Sequence, residues 1–271
     1  MPDVIKPVIV WALFDSGNGC YKQAVDTYFC HEMTVYSIGL DVENKSDHFI
    51  KLNLADYSVL FGTSHLFGEL DKLPYLDIIL ASPPCESWSN ANAMRDGNVC
   101  WYTERIDTLF GEFPAANDFT VRAKVQLDKR NQIAGAYRTR WWKSVYNRVN
   151  GELCAFNIIC IIERYKPRIW VIENPQSSRL WRYYEQIQDF WGIKNLAHYS
   201  AYDKAFPKKP TVFYSNIAIP LQTTAEKPEV LISRRKSKED ERKIIYGYNE
   251  RSNIPLLLIR DILSRCKEQL Q

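Results

Sequence analysis

The sequence predicts an α/β protein, and three short segments carry that prediction. Each is an apolar run of strand length that opens into a turn. Val8 to Phe14 leads into Asp15-Ser16-Gly17-Asn18-Gly19. Tyr75 to Leu80 leads into Ala81-Ser82-Pro83-Pro84-Cys85-Glu86-Ser87-Trp88-Ser89, and Arg168 to Ile172 leads into Glu173-Asn174-Pro175. Short apolar runs bounded by turn signals read as buried strands. In open α/β sheets ligands bind beyond the carboxyl ends of the strands, so all three turns point to a ligand edge.

Taken in order, each turn has a functional and a plain reading. The glycines of the first let a ligand approach the backbone and the N-terminus of a helix expected over Cys20 to Phe29, although Gly-rich strand-to-helix turns are common. In the second, two prolines stop the ladder and fix the backbone, leaving Cys85 at the mouth of the turn. That cysteine is either a positioned nucleophile or a small apolar residue in a Pro-rich loop. In the third, Glu173 is a carboxylate at a strand end, serving either a site or the cap of a helix.

The remaining elements follow from periodicity. Strands are expected near Val35–Leu40, Phe49–Leu52, His198–Tyr202 and Val212–Tyr214. Helices are expected over about Trp141–Tyr165, Ser178–Phe190 and Ile254–Gln269, with Pro255 tolerated in the first turn of the last. Residues 90–140 read as irregular and polar, and residues 220–243 as an exposed loop or small lobe.

At 271 residues and 46% hydrophobic content the chain can bury one large or two small cores. Seven cysteines lack Cys-x-x-Cys spacing, which indicates neither a zinc site nor a disulfide framework, and no metal is expected. Reduced thiols fit a cytoplasmic protein. No run reaches the roughly 20 apolar residues of a membrane span, and the N-terminal run reads as a strand, not a signal peptide.

Net charge is only +3, but it is unevenly placed. Arg122, Lys124, Lys129, Arg130, Arg138, Arg140, Lys143 and Arg148 stand against the single acid Asp128, so this block carries +7 and the rest of the chain −4. Tyr137, Trp141, Trp142 and Tyr146 are interleaved with these charges. Such a block suits nucleic acid, cations on phosphates and aromatics on bases. The plainer reading is a solvated helix face. Trp142, Tyr146, Val149, Leu153 and Phe156 recur at helical spacing, which assigns some of these aromatics to the core.

The order of the three motifs resembles the cytosine-C5 DNA methyltransferases. Phe14-x-x-Gly17-x-Gly19 is similar to that family's first cofactor motif, Pro83-Pro84-Cys85 to its nucleophile motif, and Glu173-Asn174-Pro175 to its Glu-Asn-Val motif. The similarity spans roughly residues 8–263 with an unmatched block in the middle. It implies a Rossmann-like SAM-dependent methyltransferase fold with a small additional recognition region. Residues 1–89, 149–219 and 245–271 would form the S-adenosylmethionine (SAM)-binding catalytic domain. Residues 90–148 would be a basic, DNA-contacting insertion, and 220–244 a small lobe.

The resemblance also implies roles. Cys85 would add to cytosine C6, Glu173 would assist at N3, Asn174 would hold the loop, and Ser89 would help position a phosphate. Phe14, Asp15, Gly17, Gly19 and Pro83 would line the SAM site, Asp41 would take the ribose hydroxyls, and Asn53 would accept from the adenine amine. S-adenosylhomocysteine would be the product. Double-stranded DNA would be the partner, contacted through Arg138, Arg140, Lys143, Lys208 and Lys209, with a cognate restriction endonuclease in a prokaryotic or phage setting.

The chain departs from the family in four places. No Gln-x-Arg-x-Arg motif occurs, and Phe206-Pro207-Lys208-Lys209-Pro210-Thr211 is the nearest match. Cys85 and Glu173 lie 88 positions apart, the basic block filling the excess. Little chain remains after Thr211 for a large recognition domain, and Ser252-Asn253 reverses the family's late Asn-Ser pair. An RNA cytosine methyltransferase, which would use the same thiol and carboxylate, an inactive DNA- or SAM-binding protein, and a generic Rossmann enzyme with a structural cysteine are the other readings. An amino-methylating enzyme fits less well, because it would carry an aromatic at Cys85.

Overall fold

The N-terminal apolar run forms β1 (Val8–Leu13), a central strand in which Val10 to Leu13 are all buried. A computed structural model describes residues 6–15, 19–40, 46–89, 97–103, 105–108, 111–114, 119–132, 138–224, 227–231, 242–244 and 252–271, with backbone alone for 105–108 and 111–114. After β1 come α1 (Cys20–Tyr28), β2 (Met33–Gly39), β3 (Phe49–Lys51), α2 (His65–Leu70) and β4 (Ile78–Ala81). The middle of the chain holds β5 (Trp101–Tyr102), β6 (Arg105–Thr108), β7 (Gly111–Pro114), β8 (Thr120–Val121), α3 (Lys124–Asn131) and α4 (Trp141–Tyr165). Then follow β9 (Ile169–Pro175), α5 (Leu180–Gln186), β10 (Ile193–His198), β11 (Pro210–Ser215), β12 (Val230–Leu231), β13 (Lys243–Ile244) and α6 (Leu256–Leu270).

The chain divides into two compact units. The first, residues 1–83, 157–176 and 192–271, contains a mostly parallel seven-stranded sheet in the order β3-β2-β1-β4-β9-β11-β10. Its first five strands follow the doubly wound order, which starts again on the other side of β1 at β4. β11 runs antiparallel to both β9 and β10, so this sheet is not the all-parallel dinucleotide arrangement. The strands are covered by helices, which is why they read as unbroken apolar runs. Leu258, Ile259, Ile262, Leu263 and Cys266 form the buried face of α6 and share a core cluster with Tyr21, Ala24 and Val25 of α1. Burial of each such large side chain contributes about 1.5–3 kcal/mol. Pro255 stands immediately before α6, where its missing N–H costs nothing.

Two expected boundaries shift for a shared reason. β9 continues through Glu173, Asn174 and Pro175, because β11 pairs with it from Ser215↔Val171 to Thr211↔Pro175. Pro175, lacking an N–H, closes the ladder at its end. The strand expected over His198–Tyr202 instead covers Ile193–His198, and Tyr199–Ala201 form a 3-10 turn.

The second unit comprises residues 84–156 and 177–191. The segment expected to be irregular contains two short antiparallel pairs, β5 with β8 and β6 with β7, followed by α3. Trp88 and Trp101 stack at 5.6 Å between ring centroids, and Tyr183 lies 4.7 Å from Trp88. Arg122, counted above among the phosphate-facing cations, is buried. Its Nε donates to the Asn98 carbonyl at 2.6 Å and its Nη2 to that of Trp101 at 3.3 Å, so it holds β5 and β8 together.

α4 meets the turn after Cys85 at a glycine. A Cβ on Gly151 would collide with Ser87 Oγ and come within 2.9 Å of Ser87 Cβ and 3.2 Å of Trp88 Nε1. Gly151→Ala gains helix propensity of about 1 kcal/mol, yet this overpacking costs about 1–3 kcal/mol and displaces the turn. The expected result is a lower melting temperature by differential scanning calorimetry. An unchanged or higher value would show that the turn yields freely. Among the described residues, no helix is long and apolar enough to cross a membrane.

Candidate functional site

In the first unit, polar side chains gather where the strand order turns back, at the carboxyl ends of β1, β4 and β9. Phe14 follows β1 in the left-handed backbone region at φ 60, with its N–H donating to the Ile38 carbonyl at 2.8 Å. A bulky residue in this region is an outlier that surrounding structure must hold in place. Gly19 takes the same region at φ 62 and caps the start of α1. Gly17 and Asp41 lie outside the described residues.

Asp15 is buried between these two points. It accepts from Ser37 Oγ at 2.7 Å and from the backbone N–H groups of Tyr21 and Lys22 in the first turn of α1. Burial outweighs those bonds and pushes its carboxyl up to about 6 from an ordinary 3.8. A raised value in the folded state means that stability is fully present below about pH 3.8 and is lost as pH rises through about 6. The loss amounts to about 3 kcal/mol. Asp15→Asn is expected to remove it, giving a urea midpoint above the parent's at pH 8 and equal to it near pH 3.5. A parent midpoint flat between those pH values would exclude this account.

Tyr21 bridges from α1 to the turn after β4, where its hydroxyl and Ser82 Oγ lie 2.7 Å apart. Ser82 N–H extends the β1–β4 ladder by donating to the Leu13 carbonyl at 3.0 Å. Pro83 is buried and its carbonyl accepts from Asn174 Nδ2 at 3.0 Å, tying β9 to this turn. Asn174 Oδ1 is buried with no hydrogen-bond partner among the described residues.

Glu173, 8% exposed, accepts from the Tyr199 hydroxyl at 3.1 Å. Tyr199 and Tyr21 are both held well above the ordinary tyrosine value of 10, first by burial and next by the charge of Glu173, so both remain hydroxyl donors. Lys209, which also adopts a left-handed backbone (φ 29), places Nζ 4.6 Å from the Tyr199 ring centroid. Lys208 is exposed, and its carbonyl accepts from Tyr199 N–H at 2.9 Å. Asn253, of the reversed Ser252-Asn253 pair, takes the Cys20 thiol on its Oδ1 at 3.6 Å, beside the first turn of α1. Asn53 is exposed, with its side-chain oxygen accepting from Ala55 N–H at 3.0 Å in a local turn.

In the second unit, Cys85 is half-buried at the start of a turn whose geometry is fixed from several sides. Its carbonyl accepts from the N–H groups of Trp88 at 3.0 Å and Ser89 at 2.7 Å. Asn98 Nδ2 donates to the carbonyls of Ser87 and Ser89, at 3.0 and 3.2 Å, and Arg179 N–H donates to that of Trp88 at 3.0 Å. The thiols of Cys20, Cys154 and Cys266 are pushed up by burial to about 11, 12 and 12. Burial also raises Cys100 and Cys160. Thiolate chemistry is thereby discouraged at five other cysteines. Arg138, Arg140 and Lys143 are exposed.

Sequence reasoning missed Tyr199, Tyr21, Ser82 and Asn98. Ser82 carried a signal, its place between a strand and two prolines. Tyr199 carried none, since only the pairing of β11 brings its turn to Glu173.

The fold and this cluster define an α/β protein with a polar site at the switch point of a doubly wound sheet. No protein-family model matches the chain, and no curated protein matches it.

Proposed function

We propose that this protein transfers the methyl group of S-adenosylmethionine to C5 of cytosine in double-stranded DNA. The observation that carries the reading is strand adjacency. β4, which leads into Pro83-Pro84-Cys85, and β9, which bears Glu173, are parallel neighbours with Ala81 registered against Ile172. β1, with its cofactor-type turn, lies on the other side of β4. The three strands that lead into or carry these motifs therefore end side by side at one edge of the sheet, and the sheet's departure from the all-parallel order is compatible with a methyltransferase variant of the Rossmann arrangement.

The residues fit the cofactor's chemistry. Phe14 and Gly19 both take left-handed backbone in the turn after β1, and buried Asp15 offers a carboxylate to a cationic ligand. Asn174 Oδ1 is a buried acceptor with capacity to spare. When bound, S-adenosylmethionine supplies an electrophilic methyl on a sulfonium.

Cytosine C5 becomes nucleophilic only after addition at C6. The Cys85 thiolate forms the S–C6 bond, and the electron pair of the C5–C6 double bond moves towards N3 and O2. Glu173, protonated when it acts, donates a hydrogen bond or proton at N3, stabilising the charge that develops there. Tyr199 holds one carboxyl oxygen of Glu173 and so sets which oxygen faces the base. After methylation, loss of the C5 proton to water restores the double bond and expels Cys85 as thiolate, and N3 returns any proton it received to Glu173.

The test is transfer of labelled methyl from S-adenosylmethionine to duplex DNA, with tRNA in parallel and Cys85→Ala as control. Label in DNA that depends on Cys85 is expected. Label only in tRNA would keep the chemistry and overturn the substrate, and no label in either would overturn the reaction.

A further inference from the structure

The apolar stripe on α4 is not core. Trp142, Tyr146, Val149 and Phe156 are 54%, 71%, 41% and 48% exposed, although their helical spacing reads as a buried face. At its N-terminal end the stripe is aromatic. Trp142 and Tyr146 stand one turn apart with ring centroids 6.2 Å apart and planes at 74°, so both ring faces cannot be consumed by stacking on each other. Arg138, Arg140 and Lys143 lie within eight positions of this pair in the chain, all exposed and none with an ion-pair partner among the described residues.

Three other cations of the block are engaged elsewhere. Arg122 is buried, Lys124 pairs with Asp128, and Arg148 pairs with Glu152 at 2.6 Å. No acid occurs between Arg138 and Gly151. An exposed pair of aromatics in a stretch that carries exposed cations and no acids is complementary to a polyanion that presents flat apolar faces, which describes a nucleic acid with unstacked bases.

We infer that the first two turns of α4 are the surface on which this protein holds opened nucleic acid. Arg138, Arg140 and Lys143 contact phosphates, and Trp142 and Tyr146 stack on bases that have left the duplex. The inference rests on the nucleic-acid reading above and assigns it a place. A base inside a duplex must be extruded before chemistry, and the disrupted pair leaves base faces for such side chains to cover.

Binding is measured by fluorescence anisotropy across a salt series, on a perfect duplex, the same duplex with one mismatched pair, and a single strand. Trp142→Ala and Tyr146→Ala are expected to weaken binding to the mismatched duplex and single strand about 5- to 100-fold, and to the perfect duplex less. Arg140→Gln and Lys143→Gln are expected to weaken all three alike and to lower the slope of log affinity against log salt by about 1 each. These residues are exposed, so melting temperatures should match the parent's.

Parent-like binding by all four variants would overturn the inference. So would a change confined to sedimentation behaviour, which would make the stripe a contact between copies of this chain. Methyl transfer is scored separately. Sensitive binding without transfer would leave this surface standing and sink the cytosine chemistry, whereas transfer with insensitive binding would do the reverse.

Discussion

Cys85→Ala is expected to abolish methyl transfer, by on the order of 10⁴-fold or more, the scale on which loss of a covalent nucleophile is felt. Burial raises five of the other six thiols. Cys20, Cys154 and Cys266 are buried, and their thiols titrate at about 11 to 12, leaving almost no thiolate at neutral pH. Cys85 is half-exposed, on a turn pinned by hydrogen bonds to Ser87, Trp88 and Ser89. A pinned turn spares the cost of ordering the nucleophile during reaction. Truncation at a half-exposed site should change stability by no more than about 1 kcal/mol, so lost activity reports chemistry. Two measurements decide it. Methyl transfer should vanish while S-adenosylmethionine affinity by calorimetry is retained. Duplex bearing 5-fluorocytosine should form a stable thioether with the parent but not the variant, because fluorine cannot leave as the C5 proton does. Transfer surviving in Cys85→Ala would end the covalent mechanism.

What could be read in advance follows from what local sequence controls. β1, β4 and β9 were legible because strands buried on both faces need uninterrupted apolar runs, and the turns after β1 and β4 because Gly and Pro restrict backbone geometry in known ways. The full length of α4 was legible for a similar reason. Its orientation was not. Helical spacing says that Trp142, Tyr146 and Val149 share a face, but another element must cover that face before it is core, and none does among the described residues. Asp15 was placed in the first turn from sequence, yet its burial depends on Ser37 in a neighbouring strand. The same limit hid Tyr199. A 3-10 turn has no periodic signature, and this one meets Glu173 only because β11 reverses direction beside β9.

That meeting supports the second large effect. Glu173→Gln is expected to lower kcat about 10²- to 10⁴-fold, since an amide cannot supply a proton at N3. Tyr199→Phe removes one oxygen and keeps the ring that packs against Phe206 and under Lys209. The lost bond is to an ionisable group, worth about 1.5–3 kcal/mol, so kcat should fall about 10- to 100-fold. KM for DNA should hold, because Tyr199 acts as a positioning residue through Glu173. Burial keeps its hydroxyl protonated well above pH 10, so the effect should persist across the whole pH range of a methyl-transfer assay. The discriminating variant is the double one. If Tyr199 works only by orienting Glu173, Tyr199→Phe in the Glu173→Gln background should cost little more than Glu173→Gln alone. Full additivity would mean that the tyrosine acts independently, and a loss of stability matching the loss of kcat would reduce it to packing. Sub-additivity at an unchanged melting temperature is the result that a buried tyrosine holding a reactive carboxylate requires.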